Sequence, residues 1–173
     1  MAEMKRAAGY VKLAKLWERS KASAMVYHRH YFQEVFADTP DFALQDVYID
    51  ITGYKETYKR IEMLRLMRDC TLGKVDCIVT QTRAYLAANH EELCFLLYFL
   101  FELPVRIDIV TDDDDIYRID TIKNVENQRE ALHQMARSRV SLMPEVYKSW
   151  HSKVIDGIGY RREEAHGRGR GLH

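Results

Sequence analysis

Short apolar runs alternate along this chain with longer stretches of helical periodicity. The runs are rich in β-branched residues and predict strands at residues 8–13, 46–51, 75–80 and 105–110. The stretches between them predict helices at residues 16–35, 57–70 and 89–103. The order βαβαβαβ is typical of a three-layer α/β/α fold with a mostly parallel central sheet of about four strands.

The stretch from Gly73 to Arg83 gives the clearest local prediction. Gly73 suits the position just after a helix, because glycine adopts a positive φ without steric cost. Residues 75–79 are apolar except for Asp76, and this pattern predicts a buried parallel strand. Ligands of open α/β sheets bind beyond the carboxyl ends of the strands. Arg83 is predicted to stand there, which makes it the first candidate for a functional side chain.

The last third of the chain predicts a long helix at residues 122–140 with a narrow apolar stripe. The stripe consists of Ile122, Val125, Leu132, Met135, Ala136 and Val140. Such a stripe is typical of a helix that packs on a second subunit. A short helix is predicted at 145–155, and the polar Gly/Arg tail at 156–173 is predicted to be disordered. The predicted units are an α/β domain at 1–121, a helical part at 122–155 and this tail.

Composition and cysteine usage indicate a folded intracellular chain. Apolar residues make up 47% of the 173 residues, which is enough to form a core. The longest apolar run, at residues 93–101, is too short to span a bilayer, and the N-terminus lacks a signal-peptide core. We therefore expect a cytoplasmic protein that does not enter a membrane. The cysteines Cys70, Cys77 and Cys94 show no CxxC spacing and predict buried, reduced thiols.

The charges balance overall but are unevenly distributed. Residues 1–30 hold seven Lys and Arg against two Glu, whereas residues 108–120 hold six Asp against one Arg. The basic part fits either a phosphate-binding surface or a solvated helix face. The acidic run at 112–115 lacks the spaced ligands, the Gly and the closing Glu of a calcium loop. It therefore predicts a solvated turn, and no metal or cofactor is expected.

Three polar motifs stand at the predicted strands. They are Tyr10-x-Lys12-x-Ala14, then Asp50-x-Thr52-Gly53 followed by Arg60, and then Gly73-Lys74-x-Asp76 followed by Thr82-Arg83. In this order they resemble the catalytic domain of the serine recombinases, the resolvase and invertase family. That family carries a Tyr-x-Arg-x-Ser strand, a strand ending in Asp and a Ser-Gly pair, and a Ser-Arg-x-x-Arg loop. The resemblance covers roughly residues 8–140, and the helix at 122–140 falls where the family has its dimerisation helix.

The resemblance implies phosphoryl transfer on DNA. In the family a serine hydroxyl attacks the phosphodiester, and arginines stabilise the pentacoordinate phosphate. The equivalent positions in this chain are Lys12, Ala14, Asp50, Arg60 and Arg83. Ala14 stands at the position of the nucleophile, and an alanine methyl cannot attack phosphorus.

Two further departures affect the arginines. Lys12 replaces one of them and loses the bidentate fork of a guanidinium, and Leu86 stands where the loop has its second arginine. Ser20 and Ser23 are the candidate substitute nucleophiles. They follow on the predicted first helix, whose rise places them about 9 Å or more from the strand tip.

We therefore predict a resolvase-like domain without a catalytic site of its own, which acts as a dimerising interaction or regulatory module. It would pair as a homodimer or with a related recombinase. The alternative is a weakly active site-specific recombinase, or a DNA-binding accessory that uses Lys12, Arg60 and Arg83 on duplex phosphates. The segment after the long helix is too short for a three-helix DNA-binding module. An unrelated ligand-binding α/β domain ranks last, because no glycine-rich phosphate loop occurs.

Each candidate residue also has a structural interpretation. Lys12 could cap a strand end, Asp50 could hydrogen-bond to a turn, and Arg83 could pair with Asp50. His28 and His30 lack a partner motif and are predicted to lie at the surface.

Overall fold

A parallel four-stranded sheet forms the centre of the computed structural model, which describes residues 4–111 and 122–169, with side chains described for 4–111 and 129–159. Its strands are β1 (Lys5–Leu13), β2 (Phe42–Ile51), β3 (Cys77–Thr80) and β4 (Asp108–Thr111). They are arranged in the order β2-β1-β3-β4, and every neighbouring pair is parallel. The predicted fold class is confirmed, although β4 begins three residues later than the alternation of polar and apolar residues indicated.

Six α-helices connect or follow the strands in the described parts of the chain. They are α1 (Lys21–Ala37), α2 (Ile61–Thr71), α3 (Arg83–Leu86), α4 (His90–Phe101), α5 (Ile122–Leu142) and α6 (Pro144–Gly169). Two 3₁₀ turns, Lys15–Ser20 and Thr57–Lys59, precede α1 and α2. The first turn predicted for each of these two helices is therefore 3₁₀ or extended, and the predicted loop around Arg83 contains a short helix.

Side chains alternate between the two faces of β1 and so divide the core into two clusters. Ala7 and Val11 pack on the side covered by α1, together with Phe32. Ala8 and Tyr10 face the opposite side, which is covered by α2, α4, α5 and α6. Gly9 allows α1 to approach β1 closely, because an added Cβ would lie 2.7 Å from the ring of Phe32. The molecule therefore has the three predicted layers.

Gly73 ends α2 as the sequence predicted. Its φ is +74°, and its N–H donates to the carbonyl of Cys70. The N–H of Lys74 donates to the carbonyl of Asp69 at 2.9 Å, which completes a Schellman motif. Residues 74–76 then lead into β3, which begins two residues later than predicted. All four of its residues are buried, so the helix end at Gly73 and the buried strand after it are both confirmed.

The described part of α5 does not present a free dimerisation stripe. Leu132, Ala136 and Val140 are buried within their own chain, where α5 packs along α4. The prediction that this stripe packs on a second subunit is wrong for these positions. The sequence does not distinguish these two cases, because a narrow apolar stripe can pack on a helix of the same chain as well as on a partner subunit. The side chains of Ile122 and Val125 lie outside the described residues, as does the whole acidic run 112–115.

The last helix is longer than predicted. It runs from Pro144 to Gly169, so the prediction of a short helix followed by a disordered tail is wrong for residues 156–169. The segment Arg161-Arg162-Glu163-Glu164-Ala165 consists of strong helix formers, which outweigh the nearby glycines. Gly157 also has a packing reason, since an added Cβ there would lie 2.9 Å from a Leu64 methyl.

The two histidines of α1 have different environments. His28 is buried on the inner face of α1, in line with Ala24, Phe32 and Phe36 at a spacing of four residues. Its predicted surface position is therefore wrong, and burial lowers the pKa of its imidazole. His30 is exposed beside Glu34, as predicted.

Candidate functional site

The carboxyl end of the sheet brings together most of the candidate residues. Lys12 of β1 lies directly opposite Asp50 of β2 in the parallel register. Tyr10 lies two residues before Lys12 and therefore projects on the same face. The hydroxyl of Thr80, at the end of β3, donates to the carbonyl of Tyr10 at 2.8 Å. Three neighbouring strands thus end beside one another with polar side chains.

Asp50 holds the start of α2. One carboxylate oxygen accepts from the N–H of Glu62 and the other from the N–H of Met63, each at 2.9 Å. The second oxygen also accepts from the hydroxyl of Tyr10 at 2.7 Å. A carboxylate is favourable there because the first N–H groups of a helix lack intrahelical partners and carry partial positive charge. Asp50 thus hydrogen-bonds to the turn that begins a helix, as its structural interpretation predicted.

Arg60 is an internal clamp. Its side chain is 1% exposed, although the resemblance suggested a phosphate contact for it. The guanidinium donates to the hydroxyl of Tyr10 and the carbonyl of Tyr85 at 3.1 Å, and to the hydroxyl of Thr57 at 3.2 Å. It also donates to the carbonyl of Leu86. Arg60 therefore joins β1, the turn before α2 and the helix α3, which carries Arg83.

Tyr10 links the acid to the clamp. Its hydroxyl donates to Asp50 and accepts from Arg60, so a neutral phenol bridges the two charged groups by hydrogen bonds. Burial raises the pKa of Tyr10 well above its usual value; Asp50 adds to the rise and Arg60 opposes it. The phenol therefore stays protonated and keeps its donor role.

Lys12 is the more accessible cation at this edge. Burial lowers the pKa of its ammonium, with a further lowering from Arg60 that Asp50 opposes. It forms no ion pair within 4 Å with the described residues, although Asp50 faces it across the strand register. The side chain is half-buried, so its ammonium can still meet solvent or an anion.

Arg83 and Leu86, the two loop positions at which the motif has arginines, lie at the two ends of the short helix α3. Thr82 caps it by accepting from the N–H of Ala84 at 3.2 Å, and Arg83 begins it, partly exposed beyond the end of β3. This is where the sequence predicted Arg83 to stand. Leu86, at the position for which the resemblance implied a second arginine, is 1% exposed and packs in the core. The side chain at residue 86 therefore makes an apolar contact, where the resemblance implied a cation.

Ala14 follows Lys12 on the same face and is exposed. Its backbone is extended, with φ −63° and ψ 152°, and it leads directly into the 3₁₀ turn Lys15–Ser20. Ser20 ends that turn and Ser23 lies in the first turn of α1, and both are exposed. The residue at the tip of β1 therefore carries no hydroxyl.

Two participants were missed from the sequence. Tyr10 was identified only as part of a motif, and its bridging role follows from side-chain alternation combined with the parallel register. Glu92 accepts from the N–H of Thr57 at 2.9 Å and so fixes the turn before Arg60 from the far side. No spacing in the sequence indicates that contact, because 35 residues separate its partners.

Among the described residues we find no metal-ligand group, and the three cysteine thiols are buried. They contain no group of three or more His, Cys, Asp and Glu side chains placed to hold a metal ion. Cys70, Cys77 and Cys94 are buried and unbridged, as predicted, and burial raises the pKa of each thiol. Within the same residues no helix is long and apolar enough to cross a bilayer.

Comparison with known proteins found similarity only at the level of structure. No protein-family model matches the chain, and no curated protein matches it in sequence. The N-terminal catalytic domain of TP901-1 integrase is 14% identical, with 72% of this chain and 98% of that chain covered and a TM-score of 0.48. A resolvase family site-specific recombinase from Streptococcus pneumoniae is also 14% identical, with coverages of 82% and 99% and a TM-score of 0.44. This second structure comes from the family that the three sequence motifs resemble.

Proposed function

We propose that this chain is a resolvase-like domain that has lost DNA strand cleavage and acts by binding another protein, either a second copy or a related recombinase. The observation that carries the proposal is which residues occupy the motif positions and where their side chains lie. Ala14 offers no nucleophile at the tip of β1. Leu86 is in the core, and the guanidinium of Arg60 is enclosed by internal acceptors.

This arrangement supports a loss of the family's chemistry on a scaffold that is retained. Cleavage through a covalent intermediate needs an attacking oxygen and several fixed cations around the phosphate. Of the three predicted nucleic-acid contacts, Lys12 and Arg83 are partly exposed and Arg60 is buried, which supports a loss of phosphate contacts. Tyr10, Asp50 and Arg60 instead stabilise the sheet edge and the start of α2, which is a structural use of the same positions.

A covalent-capture experiment tests the loss of cleavage. The purified chain is incubated with a pool of random-sequence duplexes and denatured in detergent, and protein–DNA adducts are sought by gel and mass spectrometry. We expect no adduct, because the chain has no hydroxyl at the nucleophile position. We expect none from Ala14→Ser either, since Lys12 and Leu86 still leave the phosphate without its arginines. An adduct of the unchanged chain, mapped to Ser20, Ser23 or any other residue, would restore the enzyme hypothesis.

The second candidate is a DNA-binding accessory without chemistry. It is favoured by Lys12 and Arg83 at one edge of the sheet and by the exposed Lys15 beside them. Sedimentation velocity with and without a duplex, at 50 and 200 mM salt, separates the two candidates. We expect a protein assembly that is unchanged by DNA. A DNA complex lost steeply with added salt would favour the accessory role, since released counterions set that slope. A monomer under all conditions would remove self-pairing and leave a different partner protein as the hypothesis.

A further inference from the structure

Two exposed loops lie side by side where β1 and β2 end. One is the 3₁₀ turn Lys15–Ser20 with Lys21, the first residue of α1, and the other is residues 53–55. The N–H of Thr52 donates to the carbonyl of Leu13 at 3.0 Å and so holds the bases of the two loops together. A cleft of about 280 Å³ separates them. We call these two loops the cationic tip.

The cationic tip exposes three large apolar side chains. Leu16 is 76% exposed, Trp17 is 46% exposed and Tyr54 is 53% exposed, and no residue of the 3₁₀ turn is buried. The backbone is nevertheless fixed, because the N–H of Trp17 donates to the carbonyl of Ala14 at 3.0 Å and that of Tyr54 to the hydroxyl of Thr52 at 3.1 Å. Exposed apolar side chains that cluster in this way mark interaction surfaces.

Positive charge surrounds these apolar side chains. The tip carries four exposed cations, Lys15, Arg19, Lys21 and Lys55, against the single carboxylate of Glu18. None of the four forms an ion pair within 4 Å with the parts of the chain that the structure describes. The nearby Glu56 adds no unpaired charge, because it pairs with Lys59 at 2.9 Å. The tip therefore has an excess of positive charge, which favours an anionic partner.

The 3₁₀ turn places charge and apolar surface next to each other. Side chains three residues apart lie on one face of such a turn, so Leu16 and Arg19 share a face. Lys15 and Glu18 share another, and both line the cleft together with Tyr54. Trp, Tyr and Arg are the residue types that contribute most of the binding energy at protein interfaces.

The chemistry of the tip favours a protein segment over other anionic partners. The phosphates of a duplex would meet the cations but would leave Leu16 without an apolar contact. Anionic lipid headgroups would be repelled by Glu18, and a flat bilayer would not fill the cleft. The same tip of a second copy would bring like charge. A protein segment can fill the cleft with a side chain, place a donor against Glu18 and pair its carboxylates with the cations.

We propose that the cationic tip binds an acidic segment of a partner protein. One apolar side chain of that segment would fill the cleft beside Tyr54, and another would pack on Leu16 and Trp17. Its carboxylates would pair with the four cations, and the guanidinium of Arg19 can hold one of them by two hydrogen bonds. The proposal rests on the protein-binding function proposed above and gives it a surface and a partner chemistry.

Selection from a peptide library tests the tip without a known partner. Random dodecapeptides displayed on phage are selected on the full chain and, in parallel, on the charge-reversed variant Arg19→Glu/Lys21→Glu. The best peptides are then synthesised with a fluorescent label, and their binding is measured by anisotropy. We expect the unchanged chain alone to enrich peptides with several Asp or Glu and at least one large apolar residue, with dissociation constants of about 10–100 µM.

Single variants with matched controls locate the binding. Leu16→Ser and Arg19→Glu change exposed residues, so both should fold, as circular dichroism would show. We expect Leu16→Ser to weaken the selected peptides about fivefold and Arg19→Glu at least about tenfold. Val26→Ser, at a position 70% exposed, and Arg29→Glu make the same kinds of change on α1 and should stay within about twofold of the unchanged chain.

Three outcomes overturn the proposal. The first is no peptide enriched on the unchanged chain over the charge-reversed variant. The second is enriched peptides that lack acidic residues, or that lose as much affinity with the two α1 controls as with the tip variants. The third is binding through Leu16 and Arg19 to vesicles of phosphatidylcholine and phosphatidylglycerol without any binding of the peptides, which would assign the tip to a membrane surface.

The failure of this surface and the failure of the proposed function are distinguishable. If the peptides fail while a protein assembly is still seen by sedimentation, the cationic tip is rejected and the interaction function stands. Acidic peptides bound at the tip by a chain that also forms covalent DNA adducts would retain the surface and reject the loss of cleavage.

Discussion

Replacing Arg60 by methionine is expected to lower the free energy of unfolding by about 3–5 kcal/mol. The methionine fills much of the same volume but leaves the carbonyls of Tyr85 and Leu86 without a donor. It also removes the cation that faces Asp50 through the hydroxyl of Tyr10. Equilibrium unfolding in urea, followed by circular dichroism, measures the change.

Two matched variants make the Arg60 result specific. Arg29→Met changes an exposed arginine of α1 and should alter the free energy of unfolding by less than about 0.5 kcal/mol. Arg60→Lys should fall between them, because an ammonium keeps the charge but cannot reach all four acceptors of the guanidinium at once. Near-wild-type stability of Arg60→Met would show that Arg60 is not an internal clamp, and its role as a DNA contact would then reopen.

Leu86→Arg should destabilise the chain by at least about 3 kcal/mol, or prevent folding. This change restores the residue that the resolvase-like motif leads one to expect. In this structure, however, Leu86 is 1% exposed and packs in the main core, and its carbonyl already accepts from the buried guanidinium of Arg60, so a second guanidinium there would add like charge. Thermal and urea unfolding measure the loss, and Leu72→Arg, at a position 50% exposed, should stay within about 0.5 kcal/mol of wild type.

The outcome for Leu86 bears on the proposed function. A strongly destabilised variant would mean that the core around residue 86 packs only with an apolar side chain. A single substitution to arginine could then not restore the site. A stable Leu86→Arg chain would mean that α3 can turn that side chain outward. The phosphate-binding edge would then still be available, contrary to the proposed loss of the catalytic site.

Local patterns predicted the parts of the fold that local physics decides. Gly73 adopts the positive φ expected of a residue that ends a helix, and the apolar run after it is a buried strand. The position of Arg83 beyond β3 also followed, because a parallel strand delivers the next residues to its carboxyl edge. These predictions depend on neighbours within a few residues, which the sequence displays directly.

The roles of the polar residues were decided by contacts between distant segments. Arg60 is a clamp because α3, 25 residues further on, turns two carbonyls toward it. The stripe of α5 was predicted to bind a second subunit, and it is buried because α4 of the same chain lies beside it. Trp150 of α6 is likewise buried because α6 returns along α2 and α4 of the same chain.

The sequence by itself determined the α/β fold class, the terminator of α2, the buried thiols and the absence of a hydroxyl at residue 14. Tertiary structure alone decided which charged groups are enclosed and which remain accessible. The physical reason is that periodicity records the preference of a side chain for an interior or for water. It does not record which partner, far away along the chain, satisfies a buried charge.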